Sequence, residues 1–195
     1  MLRRLVALLV LLAVVLTPAA FAANVKIRVE GKTTTIFGAA QPTVAAENAL
    51  QALDAASTAG EFHYAITASS FGDYVSQIGK YPAAGAAGWV FKVNGVSPPV
   101  GADKVVLQNG DVVLWYYATF GATGGPPTLE LKRLPGNCYV VESVNDAGAR
   151  TRAATATVVA EGKRFRTKTG RVCIGRHAGL VRATAPGAVR SNAVT

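Results

Sequence analysis

The sequence predicts an α+β domain with one helix, followed by a small all-β domain. Three observations predict it. Strand-type alternation opens the first half, a single helical stripe interrupts it, and charge and aromatic content change together near residue 126. Residues 23–127 carry six Lys/Arg against seven Asp/Glu, a net of −1, while residues 128–195 carry twelve against four, a net of +8. Twelve aromatic residues lie between Phe37 and Phe120, and only Tyr139 and Phe165 follow. With 50% apolar and 16% charged residues in 195, the chain lacks the disorder signature of low hydrophobicity and high charge.

The elements follow in order. Val25, Ile27 and Val29 alternate with charged residues, the pattern of a half-buried strand. Gly31-Lys32 turns the chain, and β-branched Thr33 to Phe37 reads as the returning strand. Thr43 is placed to cap a helix over residues 44–59, with Ala46, Leu50, Leu53 and Ala56 on one stripe and Gly60 at its end. Residues 61–67 read as a strand with Phe62, Tyr64 and Ile66 inward, followed by a loop-rich stretch from Ser69 to Gly88. Trp89 to Val93 is another strand, and Asn94-Gly95 is a strong hairpin signal. Lys104 to Leu107 reads as a short strand and Asn109-Gly110 as a turn. Asp111 to Phe120 is apolar on both faces, which places it centrally or against a second layer. Periodicity by itself reaches an α+β domain with one helix, and one helix crossing a small mixed sheet is the β-grasp arrangement. The Gly- and Pro-rich seam at 121–127 places a boundary near residue 126, dividing 23–126 from 127–195.

Residues 1–22 read as an export signal. Arg3 and Arg4 precede an apolar run from Leu5 to Leu16, Pro18 breaks it, and Ala20-Phe21-Ala22 fits peptidase cleavage after Ala22, give or take one residue. The run is shorter than the ~20 residues a bilayer span needs, so a secreted product is expected, with no transmembrane segment in the mature chain. Cys138 and Cys173, an even count in an exported chain, read as one disulfide rather than two free thiols or part of a zinc set.

The first half resembles a known family. Ser69-Ser-Phe-Gly-Asp-Tyr-Val-Ser-Gln-Ile-Gly79, Gly88-Trp-Val-Phe-Lys-Val-Asn-Gly95, Val100-Gly-Ala-Asp103 and Asn109-Gly-Asp-Val-Val-Leu-Trp-Tyr116, in that order, are similar to the transcobalamin-like C-terminal domain. This β-grasp-like module ends the animal cobalamin carriers and is common in exported bacterial proteins. The resemblance implies a ligand-binding module. In the carriers it forms one side of a corrinoid cleft, and a large helical domain, absent from this chain, forms the other. A corrinoid or another small molecule, or a glycan of the cell envelope, is therefore the implied ligand. The matching segments supply the candidate ligand residues: Ser69, Ser70, Phe71 and Tyr74 in one loop, Trp89 on a strand, and Pro98, Pro99 and Val100 in a turn. Trp89 also begins an apolar face where core packing competes, and the competing role of Pro98-Pro99 is to stiffen a loop.

The second half is similar to carboxypeptidase-regulatory or transthyretin-like modules. The resemblance rests on Ala153-Ala-Thr-Ala-Thr-Val-Val-Ala-Glu-Gly-Lys163, Arg166-Thr-Lys-Thr-Gly-Arg-Val-Cys-Ile174 and Ala178-Gly-Leu-Val-Arg-Ala-Thr-Ala-Pro-Gly187. It implies an Ig-like β-sandwich, in which a bridge from strand 138–144 to strand 171–174 would compensate for a small core.

No signature of catalysis appears. His63 reads as a solvated strand residue and His177 as a turn residue, and the carboxylates Asp54, Asp73, Asp103 and Asp111 are scattered. The chain is expected not to be an enzyme and to need no metal. Lys163, Arg164, Arg166, Lys168 and Arg171 alternate along strand and turn, a basic surface suited to an anionic envelope polymer. Phe165 is the single aromatic among them, so base stacking and nucleic-acid binding are not expected. The leading function is binding on the first-half loops, and the rival is a structural or adhesive envelope protein without a small-molecule ligand.

Overall fold

The computed structural model describes residues 22–69, 72–122 and 124–195. The expected export signal at 1–22 lies outside the described residues apart from Ala22. Fifteen strands in four sheets and one α-helix are formed among the described residues. This overturns the expected β-grasp sheet followed by one Ig-like sandwich: the fold is a multi-sheet β structure.

β1 (Ala23–Glu30) is the axis of the largest sheet. Its first half pairs antiparallel with β3 (Thr43–Ala46) and its last two residues with β2 (Thr35–Phe37). On its other edge it runs parallel to β8 (Val112–Thr119), with Ile27 opposite Val113 and Val29 opposite Trp115. β7 (Ala87–Val93) closes the sheet antiparallel to β8.

The helix α1 (Ala49–Gly60) packs Ala49, Ala52, Leu53 and Ala56 over Val25, Ile27 and Val29. It starts later than its apolar stripe suggests. The expected cap, Thr43, is consumed by the β1–β3 ladder, and Asn48 caps instead, its Oδ1 accepting from Gln51 N at 2.9 Å. The other face of β8, with Leu114, Tyr116 and Ala118, is covered by Val90 and by Val189 from the second half. Both faces of β8 are therefore dry, as its two-sided apolar pattern requires.

The stretch expected to be loop-rich forms its own antiparallel sheet: β4 (Tyr64–Ser69), β5 (Gly72–Ile78) and β6 (Tyr81–Pro82). A register shift at Ala65/Ile66 turns the alternation over, leaving Ile66 41% exposed rather than inward. Asn94-Gly95 does make a turn, with φ of 53° and 87°, but it closes only a single bridge between Val93 and Val96. Residues 104–107 form no strand. Ala102–Lys104 is a 3₁₀ turn, and Val106 makes one bridge to Asn48.

The second half divides into two sheets. β9 (Thr128–Leu134), β10 (Cys138–Val144), β11 (Arg150–Arg152) and β14 (Arg171–Cys173) form one, and β12 (Thr157–Ala160), β13 (Lys163–Arg166) and β15 (Val181–Thr184) the other. Leu129, Leu131, Tyr139 and Val141 of the first pack with Val158, Ala160, Val181 and Ala183 of the second. Cys138 and Cys173 stand opposite each other in the β10–β14 ladder and are joined by the disulfide, closing a separation of 35 residues.

An ionic seam ties the halves together. Glu30 is wholly buried and meets three guanidinium groups: Arg28 at 3.0 Å, Arg182 at 2.5 Å and Arg190 at 2.8 Å. Arg182 also donates to Thr35 Oγ1. Lys92, likewise wholly buried, reaches across from β7 and donates to the carbonyls of Val144 and Asn145 at 3.1 and 2.9 Å.

Candidate ligand-binding groove

A groove opens where the start of β5, the turn after β7 and the end of β8 meet. Two adjoining hollows, of about 290 and 740 Å³, share Asp73, Tyr74, Pro98 and Gly101 as a common wall. The smaller is floored by β7 and β8, through Trp89, Phe91, Trp115 and Tyr116, with Phe120 at its rim. The larger and more open one continues past Pro99 and Val100 to Thr67 and Lys104.

The floor is rigid because each indole N–H is already used. Trp89 Nε1 donates to Tyr81 O at 2.8 Å, and its ring meets Tyr117 edge-on at 5.5 Å. Trp115 Nε1 donates to Ala49 O at 3.1 Å, and Phe91 stacks on its ring at 5.0 Å. Such aromatic pairs add about 0.5–1.5 kcal/mol beyond the area they bury. The rim, by contrast, is open: Tyr74 is 40% exposed, Phe120 42% and Val100 50%.

Gly88 is buried beneath Tyr74. A Cβ there would run into the Tyr74 hydroxyl, so the absent side chain is what lets the ring lie where it does.

The polar end of the groove joins Ser97 and Lys92 of the first half to Asp146 of the second. The Ser97 N–H donates to Asp146 O at 2.8 Å, and Ser97 Oγ donates to Asp146 Oδ1 at 3.2 Å. Asp146 also pairs with Lys92 at 3.2 Å. Burial lowers the Lys92 ammonium from its ordinary value, and Asp146 opposes that shift. Burial, helped by the Asp146 charge, pushes the Tyr116 phenol up to about 12. At the far lip, a hydrogen bond from Lys104 at 2.8 Å holds the Asp103 carboxyl below the usual carboxylate range.

Of the expected ligand residues, Tyr74, Trp89, Pro98, Pro99 and Val100 all stand around this groove. Trp89 is only 2% exposed and contributes wall from inside the core. Ser69 ends β4 opposite Gly72, while Ser70 and Phe71 lie outside the described residues. Sequence reasoning missed Phe91, Trp115, Tyr116, Phe120, Asp73 and Asp146 as groove residues. The first three looked like ordinary strand residues, and nothing in the sequence brings Asp146 to Ser97.

The basic residues Lys163, Arg164, Arg166, Lys168 and Arg171 are all exposed, with no ion pair among the described residues. They do not share one face. On β13, Arg164 and Arg166 point opposite to Phe165, and Arg171 belongs to the other sheet. His63 is exposed and within 3.2 Å of Gln77 Nε2, and His177 Nε2 lies 2.6 Å from the Tyr139 hydroxyl. Among the described residues no cluster of His, Cys, Asp or Glu could hold a metal ion, and no helix is long and apolar enough to cross a membrane.

Residues 44–119 match a family described as a domain of unknown function, DUF4430. No curated protein matches the chain. The matched segment runs from β3 to the end of β8 and holds every groove residue named above except Phe120 and Asp146. The groove is thus built almost wholly from the segment that matches this family.

Proposed function

We propose that the chain is an exported, non-enzymatic binding protein whose aromatic groove takes a small molecule with an apolar face and a hydrogen-bonding edge. The observation that carries this reading is the convergence of separate segments. Tyr74 of β5 and the turn Pro98–Gly101 enclose one hollow floored by both tryptophans of the chain. Aromatic walls supply the apolar contact, and Ser97, Asp73 and Asp146 supply orientation at the rim. A corrinoid fits the family resemblance. Here it would lie with one face on the open hollow.

Two experiments test the reading. Gel filtration after incubation with cyanocobalamin should retain corrinoid colour in the protein peak, and Tyr74→Ala should lose it. If no colour is retained, the corrinoid is excluded. Titration with small aromatic compounds and envelope oligosaccharides then follows by tryptophan fluorescence. Trp89 and Trp115 are the only indoles and both line the hollow, so an occupant must perturb their emission. Emission unmoved by every compound would sink the binding role. The exposed basic residues Lys163, Arg164, Arg166, Lys168 and Arg171 then favour the second reading, adhesion to an anionic envelope polymer.

A further inference from the structure

The seam between the halves holds another hollow, of about 270 Å³, with a chemistry opposite to that of the aromatic groove. Four cations line it, Arg28, Lys92, Lys132 and Arg150, against one carboxylate, Glu130. Three of the cations are satisfied. Lys132 pairs with Glu142 at 2.8 Å, Arg150 with Glu130 at 3.0 Å and Lys92 with Asp146 at 3.2 Å.

Arg28 is different. Its side chain is 3% exposed, and it shares its one carboxylate, Glu30, with two other arginines. Nη1 donates to Glu30 Oε1 at 3.0 Å and to Arg190 O at 2.5 Å. Its buried Nε–H finds no acceptor among the described residues. Arg182 and Arg190 keep about a fifth of their side-chain surface in solvent (21% each), so water screens them, whereas Arg28 has no such outlet. A buried charged donor left unmade is costly, and an anion in the hollow would satisfy both its hydrogen bond and the excess positive charge. Gln41 adds an amide at the wall whose side chain makes no hydrogen bond among the described residues.

We propose that this hollow binds a small carboxylate-bearing molecule, its carboxylate on the Arg28 Nε–H, with the Gln41 amide as a second donor. The walls favour a carboxylate over phosphate. Val112, Leu114, Leu129 and Leu131 make them partly apolar, which suits an organic tail. A doubly charged phosphate would need more buried donors than one guanidinium N–H and one amide to replace its hydration. The space equals that of about nine waters at the ~30 Å³ each fills in the liquid, which is ample for a short-chain acid.

The test uses the full chain at fixed ionic strength, with butyrate, inorganic phosphate and chloride as probes. Arginine Nε–H resonances and thermal stability are the readouts. Butyrate should shift the Arg28 Nε–H resonance saturably and raise the melting temperature above the chloride control. Arg28→Lys should weaken it about tenfold, the size expected for one charge-assisted hydrogen bond. Gln41→Leu should weaken it while leaving the Glu30 cluster intact, which keeps the proposal open to test if Arg28→Lys does not fold. Tyr74→Ala should leave butyrate binding unchanged, separating this site from the aromatic groove. The proposal is overturned if butyrate acts no differently from chloride, if phosphate binds more tightly, or if Gln41→Leu binds butyrate like the parent chain.

Discussion

Glu30 is the residue on which the seam depends. One wholly buried carboxylate faces three guanidinium groups, so Glu30→Gln leaves those charges without their partner. Removing one partner of a buried ion pair costs about 3–5 kcal/mol, and urea unfolding should show a loss of that order. Arg28 already bears a strain of this kind: burial lowers its guanidinium to about 10 despite the nearby Glu30 carboxylate. Tyr116 gives a prediction in pH. Its phenol ionises near 10 in the unfolded chain and at about 12 when folded, so the neutral form is favoured by folding. The associated stability is fully present below pH 10 and is lost as pH rises through 12. Two pKa units correspond to about 2.7 kcal/mol. Stability measured at pH 9 and at pH 12 should therefore fall, and Tyr116→Phe should flatten that difference. At the groove, Gly88→Ala should displace the Tyr74 ring and weaken a groove ligand with little loss of stability, because the clash is with the free end of a side chain.

At the scale of elements, the disulfide and the helix cap make separable contributions. The bridge joins opposed residues of β10 and β14 across a 35-residue separation that includes β11, β12 and β13. Chain entropy assigns such a closure about 3–4 kcal/mol, so reduction, or Cys138→Ser with Cys173→Ser, should lower the midpoint of thermal unfolding by several degrees. Cys173 is exposed, so reductant should reach the bridge in the folded protein. Asn48→Ala removes the acceptor for Gln51 N and should cost about 1 kcal/mol, whereas Thr43→Ala should leave helix content unchanged. That contrast separates the observed cap from the one the residue pattern suggested. Thr43 has a capping side chain ahead of an apolar stripe, which is all a local reading sees. The pairing of residues 43–46 with residues 23–26 is non-local, and it prevailed.

At the scale of the whole molecule, the two halves lean on each other. β8 presents Leu114, Tyr116 and Ala118 toward the second half, and Lys92 takes its carbonyl acceptors from there. A chain ending at residue 127 should therefore aggregate or bind a dye for exposed apolar surface, although its own helix and core residues are intact. The Pro- and Gly-rich seam was legible as a change of composition. The Arg182–Glu30 contact, 152 residues apart in sequence, was not. Half of the groove was legible for a related reason. Tyr74, Trp89 and Pro98–Val100 stand out as aromatics and prolines among turn residues, while Phe91 and Trp115 look like any apolar strand residue. Residues 72–82 were misread as loop because Gly72, Gly79 and Pro82 interrupt the alternation that marks a strand.

By itself, the sequence determined the local features: the strand at the start of the first half, the single helix, the two-sided burial of β8, the Asn94-Gly95 turn and the pairing of the two cysteines. Each follows from side-chain period, turn stereochemistry or the count of one reactive residue type, all of which act over a few neighbours. Tertiary structure alone decided how the strands are divided among four sheets, which residues floor the groove, and that Arg28, Glu30 and Lys92 are buried charges rather than solvated ones. Those outcomes depend on which surfaces are withdrawn from water together, and that is settled by contacts between residues far apart in the chain.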